Sequence, residues 1–242
     1  MNLRPTEGKS PVTVKQMPRD RGYAPKIAQD DLPDILHSIR KPSVALALWH
    51  RPLPPGLEKW LLSLLPDQLP QGRVIAVRGM FERALDQILR VSATPRSKEA
   101  FHFVSDVVKI STLFADIAET NLVDIGLNMV VHDSCWKFHR DHVRYRALTT
   151  YFGPSTEYVS QEDANRAVTE QKSYGGVIHH IPRHAVTIFK GAKDALGKGV
   201  VHRSPPINTT GQKRLVLTLN IPGRTSPEYS ALGPGPTLCA FK

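Results

Sequence analysis

The sequence predicts a mixed α/β protein of the α+β class, in which a helical N-terminal region packs on a C-terminal jelly roll. Between residues 29 and 120 the apolar residues recur mainly at helical spacing. From residue 121 to residue 222, short apolar runs alternate with turn residues, as in jelly rolls and closed barrels. With 242 residues, 40% of them hydrophobic, the chain can bury a sizeable core. Because each helix must bury its apolar face, a sheet is the natural partner for the helical region.

The N-terminal half divides into an arm and a mainly helical region. Residues 1–28 are expected to be a disordered arm, because prolines recur in a stretch with few large apolar residues. Asp30 or Asp31 is expected to cap a short helix that ends at Arg40. The apolar run 43–49 lies between prolines and predicts a buried strand. Longer helices are predicted over residues 55–65, 80–91 and 97–118.

The C-terminal half is expected to hold a barrel core and an irregular end. Strands are predicted over residues 124–132, 144–152, 156–159, 178–181, 185–190, 199–202 and 214–221, with a polar helical turn over 161–171. Residues 223–242 are rich in proline and glycine and are expected to form an irregular strap. This predicts one core over residues 121–222.

The most informative residues for function are His139 and Asp141, which stand one position apart just ahead of a predicted strand. Side chains two positions apart in extended chain point to the same side, so the imidazole and the carboxylate could bind one ion together. His202, at the end of a later predicted strand, is the best candidate for a third ligand. Two histidines and one carboxylate that leave positions open are typical of non-haem Fe(II) sites. The alternative is a surface His–Asp pair in a basic loop.

Several motifs together give the chain a resemblance to known families. They are HRD (139–141), R-x-L-T-T-Y-x-G-P-S-T-E (146–157), FKG (189–191), VHRSPP (201–206) and RLVLTLN (214–220). From about residue 30 onward the pattern resembles an uncharacterised bacterial family of unknown function, found in zinc-responsive gene neighbourhoods. Over residues 122–222 the motifs resemble the double-stranded β-helix of Fe(II)/2-oxoglutarate-dependent oxygenases. Ser155 stands where the first family usually has a second glycine.

The second resemblance implies a cofactor site. It implies Fe(II) bound by His139, Asp141 and His202, with 2-oxoglutarate as co-substrate and Arg214 holding its distal carboxylate. A guanidinium suits that role because its planar fork meets a carboxylate in two parallel hydrogen bonds. The alternative is a non-catalytic protein of the same barrel that binds or senses zinc at these ligands.

Further candidates for the pocket wall come from the strand that follows the first two ligands. Arg146, Thr149 and Tyr151 are expected to share one face of that strand. Lys190, at the end of a later strand, is the remaining candidate for contact with the co-substrate.

Charge and hydropathy limit the kinds of partner that the protein can have. The net charge of +10 suits an anionic small-molecule substrate, with nucleic acid as the alternative partner. The longest apolar runs are far shorter than the roughly 20 residues that a membrane helix needs, and the basic N-terminus lacks the apolar core of a secretory signal. The protein is therefore expected to be cytoplasmic. Two cysteines are too few for a disulfide framework. Cys135 is expected to be a buried thiol, and the alternative is a position near the metal, since it stands four residues before His139.

Overall fold

The fold is described by a computed structural model over residues 26–193, 199–224 and 226–227. Ten strands lie within these ranges: β1 (Lys26–Asp30), β2 (Val44–Trp49), β3 (Gly72–Val77), β4 (Leu122–Val130), β5 (Tyr145–Phe152), β6 (Glu157–Tyr158), β7 (His179–His180), β8 (Val186–Lys190), β9 (His202–Arg203) and β10 (Arg214–Asn220). They form two sheets. The larger has the order β1-β2-β8-β5-β10-β4-β3, and the smaller has the order β7-β6-β9.

The larger sheet confirms the predicted mixed α/β class. All its strand pairs are antiparallel except β1 with β2, which is parallel. The central strand β10 pairs with β4 on one side and with β5 on the other. Strands that the sequence places far apart therefore lie side by side at the centre of the sheet.

The helices of the described part of the chain precede the central strands or lie between them. They are α1 (Leu57–Ser63), α2 (Phe81–Val91), α3 (Lys98–Ala118), α4 (Ala164–Glu170) and two 3-10 helices, Pro33–Arg40 and Gln171–Ser173. The longest, α3, begins where the Ser97 side chain accepts a hydrogen bond from the Ala100 N–H, which is a favourable N-cap. The predicted cap of the first helix was wrong. That helix is a 3-10 helix with Pro33 in its first turn, and Asp30 instead accepts the Leu32 N–H.

The two faces of the larger sheet have different surroundings. On β10, Leu215, Leu217 and Leu219 are buried in the main apolar core, which also contains Phe103 and Phe114 of α3. The alternate residues of β10, from Arg214 to Asn220, line a polar cavity on the opposite face. This follows from the period of two in a strand. One face therefore packs on helices and the other builds the candidate site.

The strand β3 was not predicted from the sequence. It pairs with β4 at one edge of the larger sheet, and β1 and β2 lie at the other edge. Residues 29–120 therefore supply strands to the sheet of the later core as well as helices. The short apolar run at residues 74–77 is the local signal for this strand.

The predicted terminal segments lie mostly outside the described residues. Residues 26–28 of the predicted arm belong to β1, where they pair with β2, and residues 1–25 are not described. Of the predicted strap, only residues 223–224 and 226–227 are described. No helix of the described ranges is long and apolar enough to cross a membrane.

A buried polar cluster ties α3 to the sheet. The Arg51 guanidinium donates to both oxygens of Asp106 at 2.6 and 3.0 Å, and the Tyr151 hydroxyl donates to Asp106 Oδ2 at 2.8 Å. The Tyr151 ring also packs against Phe103, with ring centroids 4.9 Å apart. Burial, and then the Asp106 charge, raises the pKa of Tyr151 well above 10.0, so the phenol stays protonated and donates.

This cluster predicts unequal costs for two substitutions. Asp106→Ala leaves a buried guanidinium without its counter-charge and should lower the free energy of unfolding by about 3–5 kcal/mol. Tyr151→Phe removes one hydrogen bond to a carboxylate that keeps its arginine partner, and should cost about 1.5 kcal/mol. Urea unfolding of both variants checks the order. Equal costs would contradict the assignment of Arg51 and Asp106 as the main buried pair.

Candidate metal centre

The site is built on a backbone pair between two histidines. The His139 N–H donates to the His202 carbonyl, and the His202 N–H donates to the His139 carbonyl, both at 3.0 Å. This reciprocal pattern is that of a hydrogen-bonded antiparallel pair, in which opposed side chains lie on the same side. The two imidazole rings accordingly lie with their centroids 4.6 Å apart. A local pairing therefore unites two histidines that are distant in sequence.

The loop that carries Asp141 is held by the chain that follows β8. The Ala192 N–H donates to the Asp141 carbonyl at 2.7 Å, and the Lys193 N–H donates to the Val143 carbonyl at 3.1 Å. Gly191 makes this approach possible, since a Cβ there would lie 2.2 Å from the Val143 oxygen and 2.6 Å from the Asp141 oxygen. A side chain at position 191 would therefore push the Asp141 loop away.

Three side chains converge at this place. His139 Nε2 lies 3.6 Å from Asp141 Oδ1, and His202 Nε2 lies 3.3 Å from Asp141 Oδ2. Their ligand atoms all fall within 4.8 Å of one another. Two ligand atoms that are each about 2.1 Å from one ion, at a right angle, lie about 3.0 Å apart. The three groups are thus within a small movement of the spacing that one ion requires.

Each histidine is oriented by a backbone carbonyl. His139 Nδ1 lies 2.7 Å from the Lys137 carbonyl oxygen, and His202 Nδ1 lies 3.2 Å from the Val200 carbonyl oxygen. Because a carbonyl can only accept, each Nδ1 carries the proton. Each Nε2 is then left for a metal ion, the usual arrangement of a histidine ligand and its supporting acceptor, and in metal-free protein it is the atom that a second proton would place towards Asp141.

The acidic and basic members of the cluster shift each other's pKa. Hydrogen bonding with Asp141 raises the pKa of His139 above 6.5, although burial opposes this. Burial acts to raise the pKa of Asp141, but the adjacent imidazoles of His139 and His202 and the charge of Arg146 outweigh it and hold that pKa well below 3.8. The carboxylate is therefore charged at neutral pH.

A cavity of about 270 Å³ opens beside these residues. His139 and His202 lie in its wall, and the cavity-facing side chains of β4, β5 and β10 line the rest. Most of the residues in this wall are of polar type, including Asn128, Thr156 and Thr218. The volume is close to the lower end of the range for small-molecule sites, about 300–1,000 Å³.

Arg214 is the most unusual residue of the cavity wall. It is only 1% exposed, and its Nη2 donates to Thr156 Oγ1 at 3.0 Å and, at 3.5 Å, to Thr150 Oγ1. Its Nε and Nη1 are buried without a hydrogen-bond partner. Burial lowers the pKa of Arg214 to about 10, with the Glu157 charge acting in the opposite direction. The guanidinium is therefore charged at neutral pH and is not paired with a carboxylate in the described structure.

Arg146 also lines the cavity, and two of its guanidinium nitrogens are bound by protein groups. Its Nη1 donates to Asp141 Oδ1 at 2.7 Å, and its Nε donates to Asn220 Oδ1 at 2.8 Å. Of the residues predicted to contact a co-substrate, Arg214 and Arg146 are thus at the cavity.

The structure places Tyr151 and Lys190 elsewhere. Tyr151 is five positions from Arg146, an odd number, so the two side chains point to opposite faces of β5. The prediction that they share a face was wrong, and the Tyr151 hydroxyl is bound to Asp106 in the main core. Lys190 Nζ donates to the carbonyls of Lys41 and Pro42 at 2.9 and 3.3 Å, where it ties the end of β8 to the chain before β2.

Sequence reasoning missed other members of the cavity wall. Thr156 and Asn220 both fall within the motifs, and the period of two from Arg214 could have identified Asn220. Cys135 was expected to be buried, but it is an exposed free thiol that lines the cavity. Cys239 lies outside the described residues.

Comparisons with known proteins connect the chain to a family. Residues 30–220 match the model of a family described as "Protein of unknown function (DUF1826)". No curated protein matches this sequence.

Three solved structures resemble part of this chain. AviO1 from Streptomyces viridochromogenes Tue57 is 13% identical, with a TM-score of 0.40 over 83% of this chain and 98% of that one. A prolyl-4-hydroxylase from Pseudomonas putida is 13% identical, with a TM-score of 0.32 over 72% and 98%. HygX from Streptomyces hygroscopicus, solved with nickel and 2-oxoglutarate bound, is 14% identical, with a TM-score of 0.27 over 65% and 87%. These TM-scores are all below 0.5, and the likeness to each structure is partial.

The pKa shifts predict a pH window in metal-free protein. The raised His139 pKa stabilises the fold fully below 6.5, and this contribution is lost as pH rises through the raised value. The lowered Asp141 pKa stabilises the fold above 3.8 and is lost only as pH falls through the lowered value. His139→Ala should therefore cost the most stability between pH 3.8 and 6.5. Urea unfolding in chelator at a series of pH values checks this, and a cost independent of pH would contradict it.

Proposed function

The chain belongs to the DUF1826 family, whose description gives no activity, and we propose from the site that it is an Fe(II)/2-oxoglutarate-dependent oxygenase acting on a small molecule. The observation that carries this proposal is a buried guanidinium without a carboxylate partner, Arg214, in the same cavity as a cluster of two histidines and one carboxylate. As part of the same proposal, we interpret the two sheets around the cavity as the halves of a double-stranded β-helix.

The ligand set favours an open metal site. His139, Asp141 and His202 supply two imidazole nitrogens and one carboxylate oxygen, the donors of non-haem Fe(II) sites with open positions. Asp141 Oδ2 is buried without a hydrogen-bond partner, as expected of an atom whose partner is an ion. A closed structural zinc site needs four protein ligands. Within the described ranges no fourth His, Cys, Asp or Glu ligand atom joins the three.

Arg214 supports a carboxylate-bearing co-substrate. A buried charge without a partner is costly, because it has lost its water and gained no counter-charge. A carboxylate that reached Nε and Nη1 would supply two charge-assisted hydrogen bonds and would be desolvated together with the guanidinium. A dicarboxylate such as 2-oxoglutarate has one end for this anchor and one end for the metal.

The chain's own groups prepare the site for oxidation chemistry. When bound, Fe(II) and 2-oxoglutarate supply the oxidation, in which O2 is consumed, 2-oxoglutarate becomes succinate and CO2, and one oxygen atom enters a substrate C–H bond. The Lys137 and Val200 carbonyls hold the histidine rings in the tautomer that leaves each Nε2 free. Asp141 supplies a negative charge that is kept at neutral pH. Arg214 would orient the co-substrate.

The metal assignment predicts that His139→Ala combined with Asp141→Ala abolishes stoichiometric Fe(II) binding. Two of three ligands are then absent, while the fold retains its main core on the other face of the sheet. Anaerobic metal analysis of the purified variant, together with its circular dichroism, measures both expectations. Retained metal in a folded variant would remove these residues as the ligands.

The Arg214 assignment predicts that removing the guanidinium lowers the affinity for 2-oxoglutarate without lowering the stability of the fold. Arg214→Met removes an unpaired buried charge, so the free energy of unfolding should be unchanged or higher. Hydrogen bonds to charged groups contribute about 1.5–3 kcal/mol each, so 2-oxoglutarate affinity should fall roughly tenfold to several hundredfold. Arg214→Lys keeps the positive charge but loses the planar guanidinium. Its affinity for 2-oxoglutarate should therefore lie between those of the unaltered protein and Arg214→Met.

Titration calorimetry with 2-oxoglutarate in the presence of Fe(II), under anaerobic conditions, measures the effect. Lys213→Ala is the matched control, because Lys213 is exposed next to Arg214 on the same chain segment. Aerobic succinate release then tests the reaction. Metal binding without 2-oxoglutarate binding or succinate release would favour the alternative of a zinc-binding or sensing protein.

A further inference from the structure

The two oxygens of Asp141 have different surroundings. Oδ1 accepts a hydrogen bond from Arg146 Nη1 at 2.7 Å. Oδ2 lies 3.3 Å from His202 Nε2 and is buried without a hydrogen-bond partner. One oxygen is therefore engaged by a cation, and the other is free for an ion.

The cation that engages Oδ1 is itself fixed by the sheet. Arg146 on β5 stands directly opposite Asn220 on β10, and its Nε donates to Asn220 Oδ1 at 2.8 Å. Asn220 is only 8% exposed, and its strand β10 is paired on both sides. The backbone that carries the Asn220 side chain is therefore held in place. The guanidinium is thus held at both ends, by Asn220 through Nε and by Asp141 through Nη1.

From this arrangement we propose that Arg146 and Asn220 are positioning residues that restrict Asp141 to one metal-binding oxygen, Oδ2, and so keep a coordination position open. The inference rests on the proposed metal site and assigns Arg146 a role other than the co-substrate contact predicted from the sequence. Both residues would act through Asp141 and not as metal ligands.

The physical reason is competition for Oδ1. A carboxylate can bind an ion through one or both oxygens, and binding through both would occupy a further coordination position. The charge-assisted hydrogen bond from Arg146 occupies Oδ1, because the guanidinium cannot be deprotonated and can only donate. Asn220 contributes by keeping that guanidinium from turning towards the cavity.

The proposal predicts a change in the number of water molecules on the metal. Mn(II) is a suitable probe, because it accepts nitrogen and oxygen ligands and speeds the relaxation of protons in bound, exchanging water. In six-coordinate geometry three protein ligands leave three positions for water, and a second oxygen from Asp141 leaves two. Arg146→Met should therefore lower the water-proton relaxation rate of the Mn(II)-loaded protein by roughly one third.

The partner residue gives a second, graded test. Asn220→Ala keeps the Arg146 charge but releases its Nε, so Mn(II) affinity should fall roughly tenfold or more, as for other residues that orient metal ligands. Asn220→Asp retains an oxygen acceptor at the same place and should restore most of the lost affinity. Arg73→Met is the matched control, because Arg73 also lines the cavity but pairs with Asp124 instead of Asp141. Its relaxation rate and affinity should equal those of the unaltered protein.

Two outcomes separate this inference from the proposed function. If the unaltered protein binds Mn(II) with a full complement of water, and both Arg146→Met and Asn220→Ala leave relaxation and affinity unchanged, the positioning role is overturned and the metal site stands. If the unaltered protein does not bind a divalent ion at all, the metal site and the inference that rests on it both fail. Thermal unfolding of each variant verifies that the fold is retained.

Discussion

The candidate site depends on the reciprocal backbone hydrogen bonds between His139 and His202. They pair the chain before β5 with the short strand β9, and this pairing places the two imidazole rings side by side. Without it the three ligand atoms would have no common location, since His202 comes from a distant part of the chain. The hydrogen bonds use only main-chain atoms, so the histidine side chains keep their Nε2 atoms for another partner.

The larger sheet separates two kinds of buried charge. On its helical face, Arg51 and Asp106 neutralise each other and Tyr151 completes the hydrogen bonding, which is the ordinary arrangement of a structural ion pair. On the cavity face, Arg214 is buried with hydroxyl partners only. Arg51 thus has a carboxylate counter-charge, although its Nε is buried without a partner, whereas Arg214 has no counter-charge at all. A buried guanidinium that lacks a counter-charge at a cavity indicates an anionic ligand, because its desolvation is compensated only when such a ligand binds.

The arginines around the cavity also differ in what they are free to do. Arg146 donates to Asp141 and Asn220, and Arg203 donates to Glu157 at 2.6 Å. Only the Arg214 guanidinium, among these three, retains two nitrogens without a partner. This distinction between positioning and binding groups cannot be drawn from residue type, since all three side chains are the same.

The sequence by itself determined the local properties: the mixed α/β class, most helices and strands, and the placement of His139 and Asp141 on one side of an extended segment. These follow from side-chain periods, which act over a few residues. The tertiary structure decided the rest. The Tyr151 error came from the period itself, because an odd separation from Arg146 was assigned to one face. The approach of His202 to His139, the attachment of Lys190 to the chain before β2, the exposure of Cys135 and the edge strand β3 depend on contacts with remote segments. The face of a strand on which a side chain lies is set by the local sequence. The residues that this side chain contacts are set by the remote segment that packs against that face.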